Sequence, residues 1–162
     1  MNRKPFLFLA SADDSWIAQH KEALLQEFEL NIFRLGTDCQ TALSDRQPEI
    51  LLLDTALPDL DAFSLHQAVR DDFSTSDVYQ LLLCTDEEAG RSDFVGNDFI
   101  VKPFSDRVFF QKLALLKKTL ASARVAREQM SYAQTVAMTA MSSMGDLGVV
   151  MEFLSKSFAC QT

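Results

Sequence analysis

Four apolar runs end in side chains that can do chemistry. PFLFLA (5–10) leads to Asp13 and Asp14, EILLLD (49–54) ends in Asp54, VYQLLLCT (78–85) ends in Thr85, and DFIVK (98–102) ends in Lys102. Apart, these are ordinary surface groups. Together they would put carboxylates, a hydroxyl and an ammonium on one polar rim, with the apolar residues behind them anchoring the backbone in a core. Asp54 poses the question most sharply, because an acid rather than a turn glycine follows four apolar residues, shortly before Pro58.

The elements needed to bring these ends together are legible. A continuous apolar run covered on both faces suits a parallel strand, and 5–10, 30–35, 49–54, 78–85 and 98–102 supply five such strands. Between the first two, Ser15 can cap a helix whose stripe includes Ile17, Leu24, Leu25 and Phe28. Residues 38–46 make a brief helix that Pro48 breaks, and Asp61 starts another with Phe63, Leu65, His66 and Val69 near one side. Strands alternating with helices predict a doubly wound α/β sandwich with a five-stranded parallel sheet and right-handed crossovers. In such a sheet the C-terminal strand ends gather and form the site. The link 86–97, bracketed by Gly90 and Gly96, is near the minimum for a parallel crossover, so the fourth helix is expected to be one or two turns or irregular.

With 162 residues, 48% of them apolar, the chain is long enough for one compact domain and a tail. Its formal charge is −8, and the excess lies in residues 1–120, which hold 12 Lys/Arg against 20 Asp/Glu. So acidic a domain has no net electrostatic footprint for nucleic acid. Cys39, Cys84 and Cys160 have neither metal spacing nor a paired framework. Reduced thiols in a cytoplasmic setting are expected, and no run reaches membrane-spanning length.

From Ser105, a cap, the pattern turns wholly helical, with no Gly or Pro from 106 to 144. That length suggests a protruding coiled coil. Steps of four and three pass through Phe109, Leu113, Leu116, Leu120, Ala123, Arg127, Met130, Gln134, Ala137, Met141 and Met144, interrupted at Arg127 and Gln134. A single helix bent back on the domain is the alternative. We expect 1–120 to be the main domain, 121–144 a helical extension, and 145–162 a short helix that either begins a truncated output region or completes a homodimer.

Asp13/Asp14, LLLDTALPDLDAF, LLLCT and DFIVKPF, in this order on successive strand ends, resemble the receiver domain of bacterial two-component response regulators over about residues 4–120. The resemblance implies a flavodoxin-like strand order 2-1-3-4-5. It also implies phosphorylation of Asp54 by a histidine kinase or phosphotransfer protein, with Mg²⁺ held by Asp13, Asp54 and the backbone carbonyl of Ala56, and Asp14 as a further candidate ligand. Lys102, before Pro103, would meet the phosphoryl oxygens and Thr85 would donate its hydroxyl. Phe99 would follow Thr85 inward as the switch aromatic, passing the signal to the C-terminal helix. Chemically, a carboxylate can attack an activated phosphoryl group in line and form an acyl phosphate.

This sequence also departs from the family. Counting back from Ile17, Leu25 and Leu30 puts Ala12 and Asp13 in the acidic pair's positions, whereas a strand slipped by one residue makes Asp13/Asp14 the pair. Asp86 follows Thr85 where a small residue is usual, and Ala62 replaces a glycine. These features motivate a competing reading, a pseudo-receiver that serves in docking or dimerisation without phosphorylation. An aspartyl phosphatase would need a second Asp where Ala56 stands. Nucleotide binding lacks a Gly-rich loop after the first strand.

Overall fold

A computed structural model describes residues 3–90 and 98–143. Five parallel strands, β1 (Phe6–Ala10), β2 (Glu29–Phe33), β3 (Ile50–Asp54), β4 (Tyr79–Cys84) and β5 (Asp98–Val101), pair in the order β2-β1-β3-β4-β5. Helices α1 (Asp14–Glu27), α2 (Gly36–Asp45), α3 (Ala62–Asp71) and α4 (Asp86–Ala89) lie between them, and α5 (Asp106–Ser143) follows β5. The expected sheet and strand order are both present, and α4 is a single short turn of helix.

The central strands β1 and β3 are buried at every residue, as their unbroken apolar sequences require. Their side chains alternate between the two faces. Phe6, Phe8, Ala10, Leu51, Leu53 and Leu82 form one core with Cys39 and Leu43 of α2 and Leu65 and Val69 of α3. Each fully buried leucine contributes about 1.5–3 kcal/mol relative to an exposed one. Stepping from β1 outward to β2 reverses the winding, so the right-handed crossover puts α1 on the opposite face. There Trp16 of α1 stacks on His20 at 4.5 Å between ring centroids and meets Phe109 of α5 edge-on at 5.2 Å.

Local chemistry sets the helix starts. α1 is capped by Asp13, whose Oδ1 accepts from the Trp16 amide at 3.0 Å, rather than by Ser15 as the sequence suggested. Leu35, at the start of α2, has no capping side chain, so the cap comes from another loop. Asp59 accepts from the Gly36 and Thr37 amides at 2.8 and 2.9 Å and from the Thr37 hydroxyl at 2.7 Å. Gly36 is needed there, since a Cβ would sit 2.5 Å from Leu60 Cγ. The start of α5 matches the expectation: the Ser105 hydroxyl accepts from the Val108 amide at 3.2 Å.

By its internal contacts the chain divides into two units, Met1–Ala114 and Leu115–Thr162. Within the second unit, Leu115, Val125, Met130, Tyr132, Val136 and Met138 are exposed. The helix expected over 145–162 lies outside the described residues. No helix among the described residues is long and apolar enough to cross a membrane.

Candidate functional site

Asp54 ends β3 with its side chain only 7% exposed. Such a carboxylate must be satisfied by donors, and three converge on it. The Lys102 ammonium, from the end of β5, forms an ion pair with Oδ1. The Ala56 amide donates to the same oxygen at 3.0 Å, and the Ser11 hydroxyl donates to Oδ2 at 2.9 Å. Parallel pairing makes this convergence, because β1, β3, β4 and β5 all end on one edge of the sheet.

Ser11 is the residue that sequence reasoning missed. Ala10 is level with Leu53, so the next residue along β1, Ser11, is level with Asp54. Both countings made from the sequence, with Ala12 or Asp13 in that place, are displaced by this register. Ser11 is buried, and its Oγ also accepts from the Asp13 amide at 3.2 Å. Asp13 itself is exposed and caps α1, while exposed Asp14 pairs with Arg34.

Thr85 stands at the end of β4, where it was expected, but its hydroxyl accepts from the Glu88 amide at 3.2 Å as the cap of α4. Glu88 completes the capping box, its Oε2 accepting from the Thr85 amide at 3.0 Å. The same oxygen accepts from the Thr55 hydroxyl at 2.6 Å. Glu88 thus ties the end of β3 to the start of α4, whereas Asp86, the acid singled out from the sequence, is exposed in the first turn of α4. The pattern Thr-x-x-Glu was the signal that could have found it.

Phe99 lies on edge strand β5 and is 36% exposed. Lys112 of α5 pairs with the neighbouring Asp98 at 2.9 Å and donates to the Phe99 carbonyl at 3.4 Å. Trp16 also meets Phe104, two residues beyond Lys102, edge-on at 6.2 Å, so its fluorescence is placed to report on this end of the sheet.

Solved structures similar in fold to this chain include receiver domains. One, from an HD domain-containing protein of Pseudomonas fluorescens Pf-5, has a TM-score of 0.65 at 17% identity, covering 76% of this chain and 94% of that one. Another, from a signal transduction histidine kinase of Syntrophus aciditrophicus, has a TM-score of 0.63 at 21% identity, covering 71% and 91%. This is the receiver fold. A third receiver, from a sensor histidine kinase of Pseudomonas aeruginosa PAO1, was solved with a magnesium ion coordinated in its active-site cleft (TM-score 0.58, 20% identity, 72% and 97% coverage). Among curated proteins, the DNA-binding transcriptional regulator NtrC of Proteus hauseri is 25% identical over 146 residues, covering 86% of this chain and 30% of its own length. The regulator RpaA of Synechocystis is 28% identical over 104 residues, covering 56% and 43%. The chain spans less than half the length of either. No family model matches it.

The receiver fold raises the question of Mg²⁺, which takes near-octahedral oxygen ligands and is usually held by one or two carboxylates with waters. Among the described residues Asp54 is the carboxylate that receives those three donors, and one of them is a cation. Asp13 and Asp14 are engaged with the α1 cap and Arg34. No group of three His, Cys, Asp or Glu side chains placed to hold a metal occurs among the described residues. The donor set does not fit a divalent cation.

Proposed function

We propose that the chain is the receiver module of a two-component signalling protein, working in the cytoplasm, with Asp54 as the carboxylate that accepts a phosphoryl group. The observation that carries this reading is the Lys102–Asp54 ion pair, because an attacking carboxylate and an incoming phosphoryl group are both anionic and need a fixed cation beside them. An Asp54 oxygen attacks the phosphorus of a phosphohistidine on a histidine kinase or phosphotransfer protein. The P–N bond breaks, the imidazole leaves, and an acyl phosphate remains on Asp54. Lys102 turns from the carboxylate to the phosphoryl oxygens, and release of Thr85 from its α4 cap would let its hydroxyl donate there too. Phe99 and α5 then carry the change outward, and the exposed apolar side chains of the distal helix serve self-association. Incubation with acetyl phosphate tests the reading: mass spectrometry should find one added phosphoryl group in the wild type and none in Asp54→Asn. Equal loading of both proteins would refute it.

A second reading, a docking module of receiver fold that is never phosphorylated, is favoured by one observation. A hydroxyl, Ser11, rather than an acid stands level with Asp54. Under this reading Lys102, Asp54 and Ser11 are a closed structural lock, and acetyl phosphate adds no mass.

A further inference from the structure

We propose that this rim takes no divalent cation at physiological concentration, that Lys102 is the resident counter-ion of Asp54, and that Ser11 and Ala12 are the residues that close the site to metal. The inference deepens the Asp54 reading above and rests on it for its consequence, that loading of Asp54 is indifferent to Mg²⁺.

Each oxygen of Asp54 already accepts from the protein, Oδ1 from Lys102 and the Ala56 amide, Oδ2 from the Ser11 hydroxyl. A divalent ion on Oδ1 would have to displace an ammonium of the same sign, and one on Oδ2 would have to turn the Ser11 proton away. Either change is driven in a metal site by further anionic ligands. The place where a second carboxylate would stand is fixed by the pairing of β1 with β3, which sets Ser11 level with Asp54 and Ala12 just beyond it. Ser11 offers one neutral oxygen and Ala12 offers none. The nearest acids along the chain cannot substitute without a loss elsewhere: Asp13 would uncap α1, and Asp14 would leave Arg34. Glu88 is committed to Thr55 and Thr85. A single carboxylate already neutralised by lysine is a poor competitor with water for an ion as reluctant to dehydrate as Mg²⁺.

The test uses the full chain labelled with ¹⁵N. Titration with Mg²⁺ to about 10 mM, well above the range in which built sites for hard cations fill, should leave the amide signals of Ser11, Ala56 and Lys102 in place. Mn²⁺ should not broaden them selectively. Saturable shifts or selective broadening in the wild type would overturn the proposal. Ser11→Asp with Ala12→Asp should create the missing response. Because Ser11 is buried, Ala12→Asp alone, at an exposed position, is the companion variant. Absence of any gain in both would overturn the assignment of closure to these two positions. Acetyl phosphate then separates the inference from the reading it rests on. Equal mass gain with Mg²⁺ or with EDTA supports both, and a gain that requires Mg²⁺ overturns the inference alone. No gain in either condition, with the amide signals unmoved, sinks the Asp54 reading while the cation-free rim stands.

Discussion

Removing either partner of the Lys102–Asp54 pair should have unequal consequences, because the two are unequally buried. The Asp54 side chain is 7% exposed and that of Lys102 is 32% exposed. Lys102→Met strands a buried carboxylate that keeps the Ser11 and Ala56 donors but loses its counter-charge. Breaking a fully buried pair costs about 3–5 kcal/mol. Two surviving donors reduce this to about 2–3 kcal/mol, the range of a charged hydrogen bond with its desolvation. Asp54→Asn is near-isosteric, can still accept from Ala56, and frees an ammonium already in partial contact with water, so its cost is about 1 kcal/mol. For a domain of this size these values correspond to melting points lower by roughly 10 °C and roughly 4 °C. The double variant, having no stranded charge, should be about 1 kcal/mol more stable than Lys102→Met alone. Urea unfolding followed by Trp16 fluorescence measures all four proteins of the cycle. If Asp54→Asn proves the more costly substitution, or the two effects simply add, the account of the rim as one buried anion held by a partly solvated cation is wrong.

Other outcomes follow from the same geometry. Glu88→Gln removes negative charge beside the rim and weakens the hold on Thr55 and Thr85, so acetyl phosphate should load Asp54 faster while stability falls by about 1 kcal/mol; slower or unchanged loading in mass-spectrometric time courses would contradict this. The Asp59 carboxyl is held below its ordinary range, chiefly by the Thr37 amide and hydroxyl, and by the Gly36 amide. Its contribution to stability is therefore present above the ordinary carboxylate pKa and is lost as pH falls through the lowered value. The urea midpoints of wild type and Asp59→Asn should accordingly differ at neutral pH and converge as pH falls below the ordinary carboxylate range; a constant gap would refute the linkage. Cys39, whose thiol burial pushes up to about 12, should resist an aromatic disulfide reagent at pH 8 until the protein unfolds, and rapid labelling of Cys39 in the native state, mapped by peptide mass, would count against its burial. Self-association assigned to 121–144 should be lost in a chain ending at Leu120; sedimentation showing equal dimerisation of both would move the interface elsewhere.

The strands and the chemical character of their ends were written in local sequence. An apolar run buried on both faces identifies itself without any partner, so 49–54 read as a central strand and Ile50–Asp54 is one. The same holds for Lys102 at the end of β5 and for the helix beginning after Ser105, where the absence of Gly and Pro is a local fact. Strand order followed from the resemblance of the motifs to receivers and agrees with the sheet.

What a residue meets across the rim was decided by registers between strands far apart in sequence. A one-residue difference at the end of β1 separates an acidic pair from a serine, and only the pairing of Ala10 with Leu53 fixes it. Likewise the acid that reaches Thr85 is Glu88 rather than Asp86, because one turn of helix brings position four back over position one. Asp59 caps α2 from a loop with which the sequence gives it no visible connection. The sequence alone determined which groups lie at the strand ends, because periodicity and burial are local; tertiary structure decided which of them touch, because a hydrogen bond depends on a displacement smaller than the rise between two residues of a strand.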